Sequence, residues 1–250
     1  MKRKNVDLYR RILKYPPFAT GKRTGHMNIT HLTKYGKVVA RAVEYVTSED
    51  AEKLFCAIYI AQKNKAIKVI SVSDNDFGNI IRIDIQIQDI KKLVNNHDEK
   101  SIIKAINRLQ GLDVTYFETK ENKIISQIGI HPILKYHFAQ ESGGLTLFLD
   151  PSFYEACKEK SLTIDLNKYN SLSPTGKNLY GYISSNSSDI FNEDLLIERA
   201  VIQALRKDKA QGILKKALAE LKNNHIISNF KTIKKDGHRL INIKRESKNH

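Results

Sequence analysis

The stretch Asp208–Asn223, DKAQGILKKALAELKN, carries the clearest periodic pattern of the sequence. At about 3.6 residues per turn, its apolar side chains fall on one face and its small and basic side chains fall on the other. The pattern predicts an amphipathic helix, capped by Asp208, with an apolar back and a slim, basic front. The back comprises Ala210, Ile213, Leu214, Ala217, Leu218 and Leu221, and the front comprises Lys209, Gly212, Lys215, Lys216, Ala219 and Asn223.

A hairpin is predicted directly after this helix. Asn229–Ile233 and Leu240–Lys244 flank a turn that contains Asp236-Gly237, and Asp-Gly favours tight hairpin turns because both residues tolerate positive φ. Two further helices, Leu172–Ser184 and Asn192–Leu205, are predicted before it. Three helices followed by a two-stranded hairpin are typical of a winged helix, an elaboration of the helix-turn-helix.

The same order of elements occurs once in the first half. Helices are predicted over Ser48–Gln62, Asp89–Asn95 and Asp98–Gln110, and a hairpin over Val114–Ile130. The stretch Ile80–Ile87 alternates polar and apolar residues, which predicts a half-buried strand. The sequence thus predicts an α+β protein with two tandem winged-helix domains. The expected division is a basic, flexible, mostly irregular arm over 1–42, a first domain over 43–160 and a second over 161–250.

The charge is concentrated at the two ends of the chain. The net charge is +15; residues 1–41 hold 11 Lys and Arg against one acid, and residues 199–250 hold 14 against four. The middle, residues 42–198, holds 17 basic against 22 acidic residues. Basic blocks on a chain of this kind indicate a polyanionic partner, and nucleic acid is favoured over a membrane because tryptophan anchors are absent.

A DNA-contacting helix needs an apolar back that docks on its domain and a slim basic front that enters the major groove. Asp208–Asn223 fits this description, and the following hairpin can contact the neighbouring backbone. The first half has a comparable, less basic helix. The candidate DNA-binding residues are Lys207, Lys209, Gln211, Gly212, Lys215, Lys216 and Asn223 on the helix, Lys231, Lys234, Lys235, His238 and Arg239 on the hairpin, and Lys100, Lys104 and Arg108 in the first half.

The sequence lacks the common motifs of catalysis and of metal or cofactor binding. The sequence has no GxxxxGK[ST] nucleotide loop and no HExxH zinc motif. Its two cysteines, Cys56 and Cys157, cannot supply a disulfide framework, which fits a cytoplasmic location. No apolar run is long enough to span a membrane. We therefore expect a protein that is not an enzyme and has no cofactor or metal.

From Leu149 onward the sequence resembles the C-terminal winged-helix domain of iteron-binding plasmid replication initiators of the TrfA type. The resemblance rests on FLDPSFYEA, LTIDLNKYNSLSPTGKNLYGYISS, LRKDKAQGILKKALAELKNNHII and the closing LINIKR. It covers about the last 100 residues, and before them it rests on the order of elements alone. In this family the ALAEL-type helix contacts the DNA bases.

This resemblance implies a plasmid protein that binds repeated double-stranded origin DNA, the iterons. It also implies melting of adjacent AT-rich DNA and recruitment of the host initiator and the replicative helicase. In the family the first domain serves DNA contact and dimerisation. Because the middle of this chain is acidic, we expect mainly a protein-contact role there, with self-association through Ile80–Ile87 or the neighbouring helices.

Two alternatives remain open at this stage. A transcriptional regulator could use the same DNA-binding module, and only the resemblance separates it from an initiator. A strand-nicking replication enzyme would need a nucleophile such as Tyr180 or Tyr182. Both tyrosines lie beside Leu179 and Ile183 on an apolar helix face, so core packing is the favoured interpretation.

Overall fold

The computed structural model describes residues 5–9, 16–20, 25–33, 36–71, 79–94, 98–120, 123–159, 161–204 and 206–246. It is a mixed structure of helices and strands. The first part contains β1 (Asn5–Tyr9), β2 (Met27–Thr33), β3 (Gly36–Ala42), α1 (Ser48–Lys63), β4 (Ile67–Ser71), β5 (Asn79–Gln86), α2 (Ile87–Val94), α3 (Glu99–Gln110), β6 (Leu112–Lys120), β7 (Lys123–Ile130), β8 (Ile133–Ala139) and β9 (Gly144–Leu149). The second contains α4 (Pro151–Glu159), β10 (Ser161–Asp165), α5 (Leu166–Asn170), α6 (Pro174–Ser185), β11 (Ile190–Asn192), α7 (Glu193–Arg199), α8 (Lys207–Asn223), β12 (Ile227–Lys235) and β13 (His238–Arg245).

The first half is built from two antiparallel sheets around helices α1 to α3. Their strand orders are β2-β3-β6-β7 and β4-β5-β9-β8. The buried core includes Leu54 of α1, Ile83 of β5, Ile106 of α3 and Leu147 of β9, each no more than 1% exposed. The half-buried strand predicted at Ile80–Ile87 and the helices predicted around it are confirmed, apart from shifts of a few residues at their ends.

Helix α1 begins with a capping box. Thr47 is the N-cap, its side chain accepts a hydrogen bond from the backbone N–H of Asp50, and the Asp50 carboxylate accepts one from the backbone N–H of Thr47. Two of the backbone groups that a helix start leaves without intrahelical partners are thereby satisfied. This fixed helix start is also where Arg108 binds, as described below.

The predicted irregular arm is wrong where the structure describes it. Met27–Thr33 and Gly36–Ala42 pair as β2 and β3, and β3 pairs further with β6. Phe18 and Ala19, just before them, are buried in the first core. The sequence of β2 does not show a clear alternation of apolar and polar residues, because one of its buried positions is a histidine, His31. Residues 5–9 of the same segment form β1, which pairs with β10.

The second half has a small sheet with the order β11-β13-β12, covered by α6, α7 and α8. The hairpin and its turn are confirmed: Asp236 and Gly237 have φ of 51° and 76°, and Lys235 pairs with His238. Helix α6 starts with Ser173 as N-cap and Pro174 in its first turn. The order of three helices and a hairpin is therefore present, with a short strand added between the first two helices.

Two predicted helix boundaries in the second half are wrong. Helix α7 ends at Arg199 instead of residue 205, because Val201 takes a left-handed φ of 54° that a helix cannot contain. Helix α8 begins at Lys207, and its N-cap is Arg206 without a side-chain cap. Asp208 lies inside the first turn and pairs with Arg206 at 2.7 Å. Its carboxylate interacts favourably with the positive end of the helix dipole, but it is not the N-cap of the helix.

The two halves contact each other through buried polar groups. Lys177 Nζ of α6 donates to Glu52 Oε2 of α1 at 2.6 Å. Thr20 donates to the carbonyl of Val201, and Val201 packs into the core of the first half. The side chain of Val201 therefore crosses from the second half into the core of the first. Its backbone adopts a left-handed conformation that is strained for a β-branched residue. No helix in the described ranges combines the length and the apolar character needed to cross a membrane.

Candidate nucleic-acid interface

Helix α8 has the two faces that the sequence predicted. Leu214, Leu218 and Leu221 are at most 1% exposed and belong to the core of the second half, together with Ile241 and Ile243 of β13. The helix is thus held on its domain by its apolar back. Its front is left to solvent.

The front of α8 is slim and positively charged. Lys209, Gly212, Lys215, Lys216 and Asn223 are exposed. A Cβ added at Gly212 would meet no atom within 4 Å, so nothing covers the middle of this face within the described structure. Among the residues that the structure describes, no carboxylate forms a salt bridge with Lys209, Lys215 or Lys216. The positive charges of these lysines therefore remain available to an anion.

One buried carboxylate joins the helix to the hairpin. Glu193, in the first turn of α7 and 4% exposed, accepts two hydrogen bonds from Arg239 of β13, at 2.6 Å and 3.1 Å. It also accepts one from Gln211 Nε2 of α8 at 2.8 Å. The hydrogen bonding of Arg239 to Glu193 and the attraction between their opposite charges raise the pKa of Arg239. Gln211 and Arg239, both predicted to contact DNA, are thus held in fixed positions by Glu193.

The hairpin presents different residues on its two faces. Lys234 and Arg239 are opposite each other and share the side of the buried Ile241, by strand alternation. Lys231, Lys235 and His238 lie on the other side. All five are exposed, although Arg239 is also engaged by Glu193.

Lys207 starts α8 and pairs with Asp194 Oδ1 at 2.9 Å, and both side chains are about two-thirds exposed. An exposed pair of this kind contributes little to stability, about 0–1 kcal/mol. Lys207 can therefore exchange this carboxylate for a phosphate at small cost. The predicted residues of α8 and of the hairpin are together called the α8–hairpin surface below.

The candidate residues of the first half are not equivalent. Lys100 and Lys104 are exposed on α3. Arg108 is only 27% exposed and pairs with Glu44 and Asp50, each at 3.3 Å. Its guanidinium therefore ties α3 to the capped start of α1. The prediction that it contacts DNA is not tested by this geometry, but its two carboxylate partners compete with a phosphate.

The tyrosines considered as nucleophiles lie in packed surroundings. Tyr182 is 5% exposed, and its ring centre is 5.9 Å from that of Phe191. Tyr180 is half-buried, with its ring centre 6.2 Å from that of Tyr169. The predicted core packing of both residues is confirmed.

Comparison with known proteins identifies structures with a similar fold but no matching sequence family. No protein-family model matches the sequence. No curated protein sequence matches it either. Among solved structures, the chain is similar to a crystal structure of domains 2 and 3 of RctB, with a TM-score of 0.59 and 14% sequence identity over 95% of this chain and 98% of that one. A second crystal structure of RctB domains 2–3 gives a TM-score of 0.55 and 15% identity over 93% and 96%. The chain therefore has the fold of these two RctB domains along almost its whole length.

Proposed function

We propose that this chain is a DNA replication initiator that binds repeated duplex sites of an origin and has no enzymatic activity. The observation that carries the proposal is the α8–hairpin surface, where no carboxylate among the described residues pairs with the lysines that flank Gly212 on an open helix front. The fold adds support, since RctB is a replication initiator of Vibrio chromosome II. Iteron recognition and a plasmid origin remain the finer part of the proposal and rest on the sequence resemblance.

We interpret the second half as a winged helix. The order α6, β11, α7, α8, β12, β13 with the sheet order β11-β13-β12 fits that motif, with α8 as the helix that enters the major groove. In this interpretation β12 and β13 form the wing. The first half repeats the order of helices and hairpin in α1, α2, α3, β6 and β7, with further strands added.

The two domains are proposed to divide the work. Residues 161–250 would bind the DNA, and residues 43–160 would contact protein partners and add a subsidiary DNA contact. The partners implied by the resemblance are the host initiator, the replicative helicase and a second copy of the chain. Melting of AT-rich DNA beside the repeats would follow binding.

Self-association is expected through Ile80–Ile87 or the neighbouring helices, and the edge strand β7 is a further candidate surface. Strand β5, which holds most of Ile80–Ile87, is paired on both sides, by β4 and β9, so it has no free edge. Strand β7 is at the edge of its sheet, and Ile124, Ile125 and Ile128 on it are more than half exposed. An edge of this kind can pair with another strand. Ile128→Lys should therefore lower self-association in sedimentation equilibrium, and unchanged association would exclude β7.

Footprinting on the DNA that flanks the gene tests the main proposal. Regularly spaced protected repeats beside an AT-rich tract support an initiator. A single protected palindrome at a promoter supports a transcriptional regulator with the same module. Absence of any sequence-specific protection would contradict both. Cleavage of origin DNA that depends on a divalent metal would instead support a nicking enzyme.

A further inference from the structure

The sheet β4-β5-β9-β8 turns one face to the core and the other to solvent. Along β5 and β9 every second side chain is buried, among them Ile83 and Leu147. Arg82, Asp84 and Phe148 occupy the alternate positions and lie on the outward face. We call this the outer face of the second sheet.

The strand registers bring four side chains into one row across this face. Lys68 of β4 is opposite Arg82, Arg82 is opposite Phe148, and Phe148 is opposite Lys135 of β8. Lys68 and Lys135 are exposed, and Arg82 and Phe148 are half-buried. Since neighbouring strands lie about 4.8 Å apart, one aromatic ring stands in a short row with three cations.

A β-bulge places the last of these cations. The pairing of β8 with β9 shifts between Ile133 and Lys135, so that Leu134 is the extra residue. Without this bulge Leu134 would be opposite Phe148, and Lys135 would be turned to the other face of the sheet. Bulges commonly redirect a side chain in this way near functional sites.

The neighbouring positions complete the face. Asp84 accepts hydrogen bonds from Arg82 Nε at 3.1 Å and from Thr146 at 2.7 Å, which orients the guanidinium of Arg82 toward Asp84 on this face. On the other side of the row, Ile70 is opposite Ile80, and both are half-buried. The face therefore combines apolar surface, an oriented guanidinium and an excess of positive charge.

We propose that the outer face of the second sheet binds single-stranded DNA, with one base stacked on Phe148 and the adjacent phosphates at Lys135 and at Lys68 or Arg82. Proteins that bind single strands combine cations along the backbone with aromatic rings on which bases stack. In duplex DNA the faces of the bases are already stacked on neighbouring bases, so they cannot stack on the ring of Phe148. An acidic peptide would match the cations but would not need the ring. The site is separate from the α8–hairpin surface and goes beyond duplex recognition.

The test is binding of a fluorescent oligothymidylate of about 15 nucleotides to the full-length chain, at several salt concentrations. Phe148→Leu should weaken binding at least about fivefold, because a leucine keeps the apolar bulk but loses the stacking. Phe148→Tyr should bind as the wild type does. Lys68→Gln/Lys135→Gln should lower the slope of log affinity against log salt by about 0.7 if Arg82 holds the second phosphate and by about 1.4 if Lys68 does, since each lost contact on a single strand contributes about 0.7.

A matched control removes two exposed lysines of the same half, at the end of α1, to which no DNA contact is assigned. Lys63→Gln/Lys65→Gln should leave the dependence of oligothymidylate binding on Phe148 unchanged. Lys215→Gln/Lys216→Gln should weaken binding of duplex repeats and also leave that dependence unchanged. If duplex binding is absent while the effect of Phe148→Leu persists, the proposed function fails and this inference holds.

Three outcomes would overturn the inference. In the first, folded Phe148→Leu binds oligothymidylate like the wild type. In the second, the Lys68 and Lys135 double variant shows the wild-type salt slope. In the third, a labelled polyglutamate peptide binds with the same dependence on Lys68 and Lys135 while oligothymidylate binds independently of Phe148, which would assign the face to an acidic protein.

Discussion

Lys177 Nζ and Glu52 Oε2, 2.6 Å apart, form an ion pair that joins α6 of the second half to α1 of the first. Both side chains are almost completely buried, at 4% and 7% exposed. The Lys177 ammonium also lies 5.2 Å from the centre of the Tyr169 ring, a geometry that stabilises the cation. Because moving each charge out of water costs several kcal/mol, the pair holds the halves together only while both partners are present.

Removal of one partner should therefore be far worse than removal of both. Lys177→Met leaves the Glu52 carboxylate buried alone and should lower the free energy of unfolding by about 3–5 kcal/mol. Glu52→Leu/Lys177→Met should lose much less than the sum of the single variants, because neither charge is left unpaired. Urea unfolding of the four proteins measures the coupling. Additive losses would mean that the pair does not act as a unit.

The same carboxyl gives a pH dependence with a defined sign. Burial raises the pKa of Glu52 above its ordinary value of 4.5, and Lys177 offsets this only in part. The folded chain binds this proton more tightly than the unfolded chain, so the contribution to stability is complete below pH 4.5 and is lost as the pH rises through the folded pKa. Glu52→Gln, which cannot titrate, should make the slope of the unfolding free energy against pH more positive in that window. Equal slopes for wild type and variant would contradict the raised pKa.

Lys215 and Lys216 should contact DNA phosphates from the front of α8. Replacing both by Ala should weaken binding of duplex repeats without unfolding the chain, since both side chains are exposed. Each lost contact should lower the log–log salt slope by about 0.9. Band shifts at several salt concentrations measure it, and Lys222→Ala, in the last turn of the same helix, is a control. The assignment fails if affinity and slope stay at their wild-type values.

Substitutions at Gly212 should affect the stability of α8 and its binding to the major groove in opposite directions. Because a Cβ there meets no atom within 4 Å, Gly212→Leu should fit the free protein and raise its stability by up to about 1 kcal/mol through helix propensity. The same leucine would stand between the helix backbone and the DNA, so specific binding should be lost. Gly212→Ala should stabilise similarly and bind better than the leucine variant. Normal binding of Gly212→Leu would show that this face points away from DNA.

Glu193 should act as a positioning residue for DNA binding. Glu193→Gln weakens the hold on Arg239 and Gln211, so the hairpin loses its fixed position relative to α8. We expect protection of the DNA flanks by the hairpin to fade in footprints, while protection by α8 remains. Asp194→Asn, which breaks the exposed pair with Lys207 and leaves the hydrogen bonds of Glu193 in place, is the matched control. Wild-type flank protection in Glu193→Gln would refute the positioning role.

Local pattern was enough to predict α8 and the hairpin after it. Helix α8 carries its whole apolar face within 17 residues, and Asp236-Gly237 determines a turn by its own backbone preferences. Strands β2 and β3 were missed because β2 buries a histidine and exposes Leu32, which obscures the alternation. The carbonyl of Pro16 and the carboxylate of Glu198, both distant in sequence, are partners of His31.

The role of Glu193 could not be derived from sequence for a similar reason. Its position at a helix start is visible, since Asn192 is the N-cap and acids are favoured in a first turn. Its main partner, Arg239, lies 46 residues further along the chain, and no local pattern links the two. The outer face of the second sheet likewise depends on a bulge in β8, a strand that was not predicted.

The pairing of β1 with β10 has a consequence for synthesis on the ribosome. Asn5 lies opposite Asp165, and all five pairs of this small sheet join residues roughly 150–160 positions apart. At about 5–20 residues per second, β1 leaves the ribosome roughly 8–30 s before its partner. The sheets and helices between them have that time to fold, so β1 must remain free of other strands until β10 arrives. Closure of this two-stranded sheet is therefore a late event, and a nascent chain stalled before residue 160 cannot complete it.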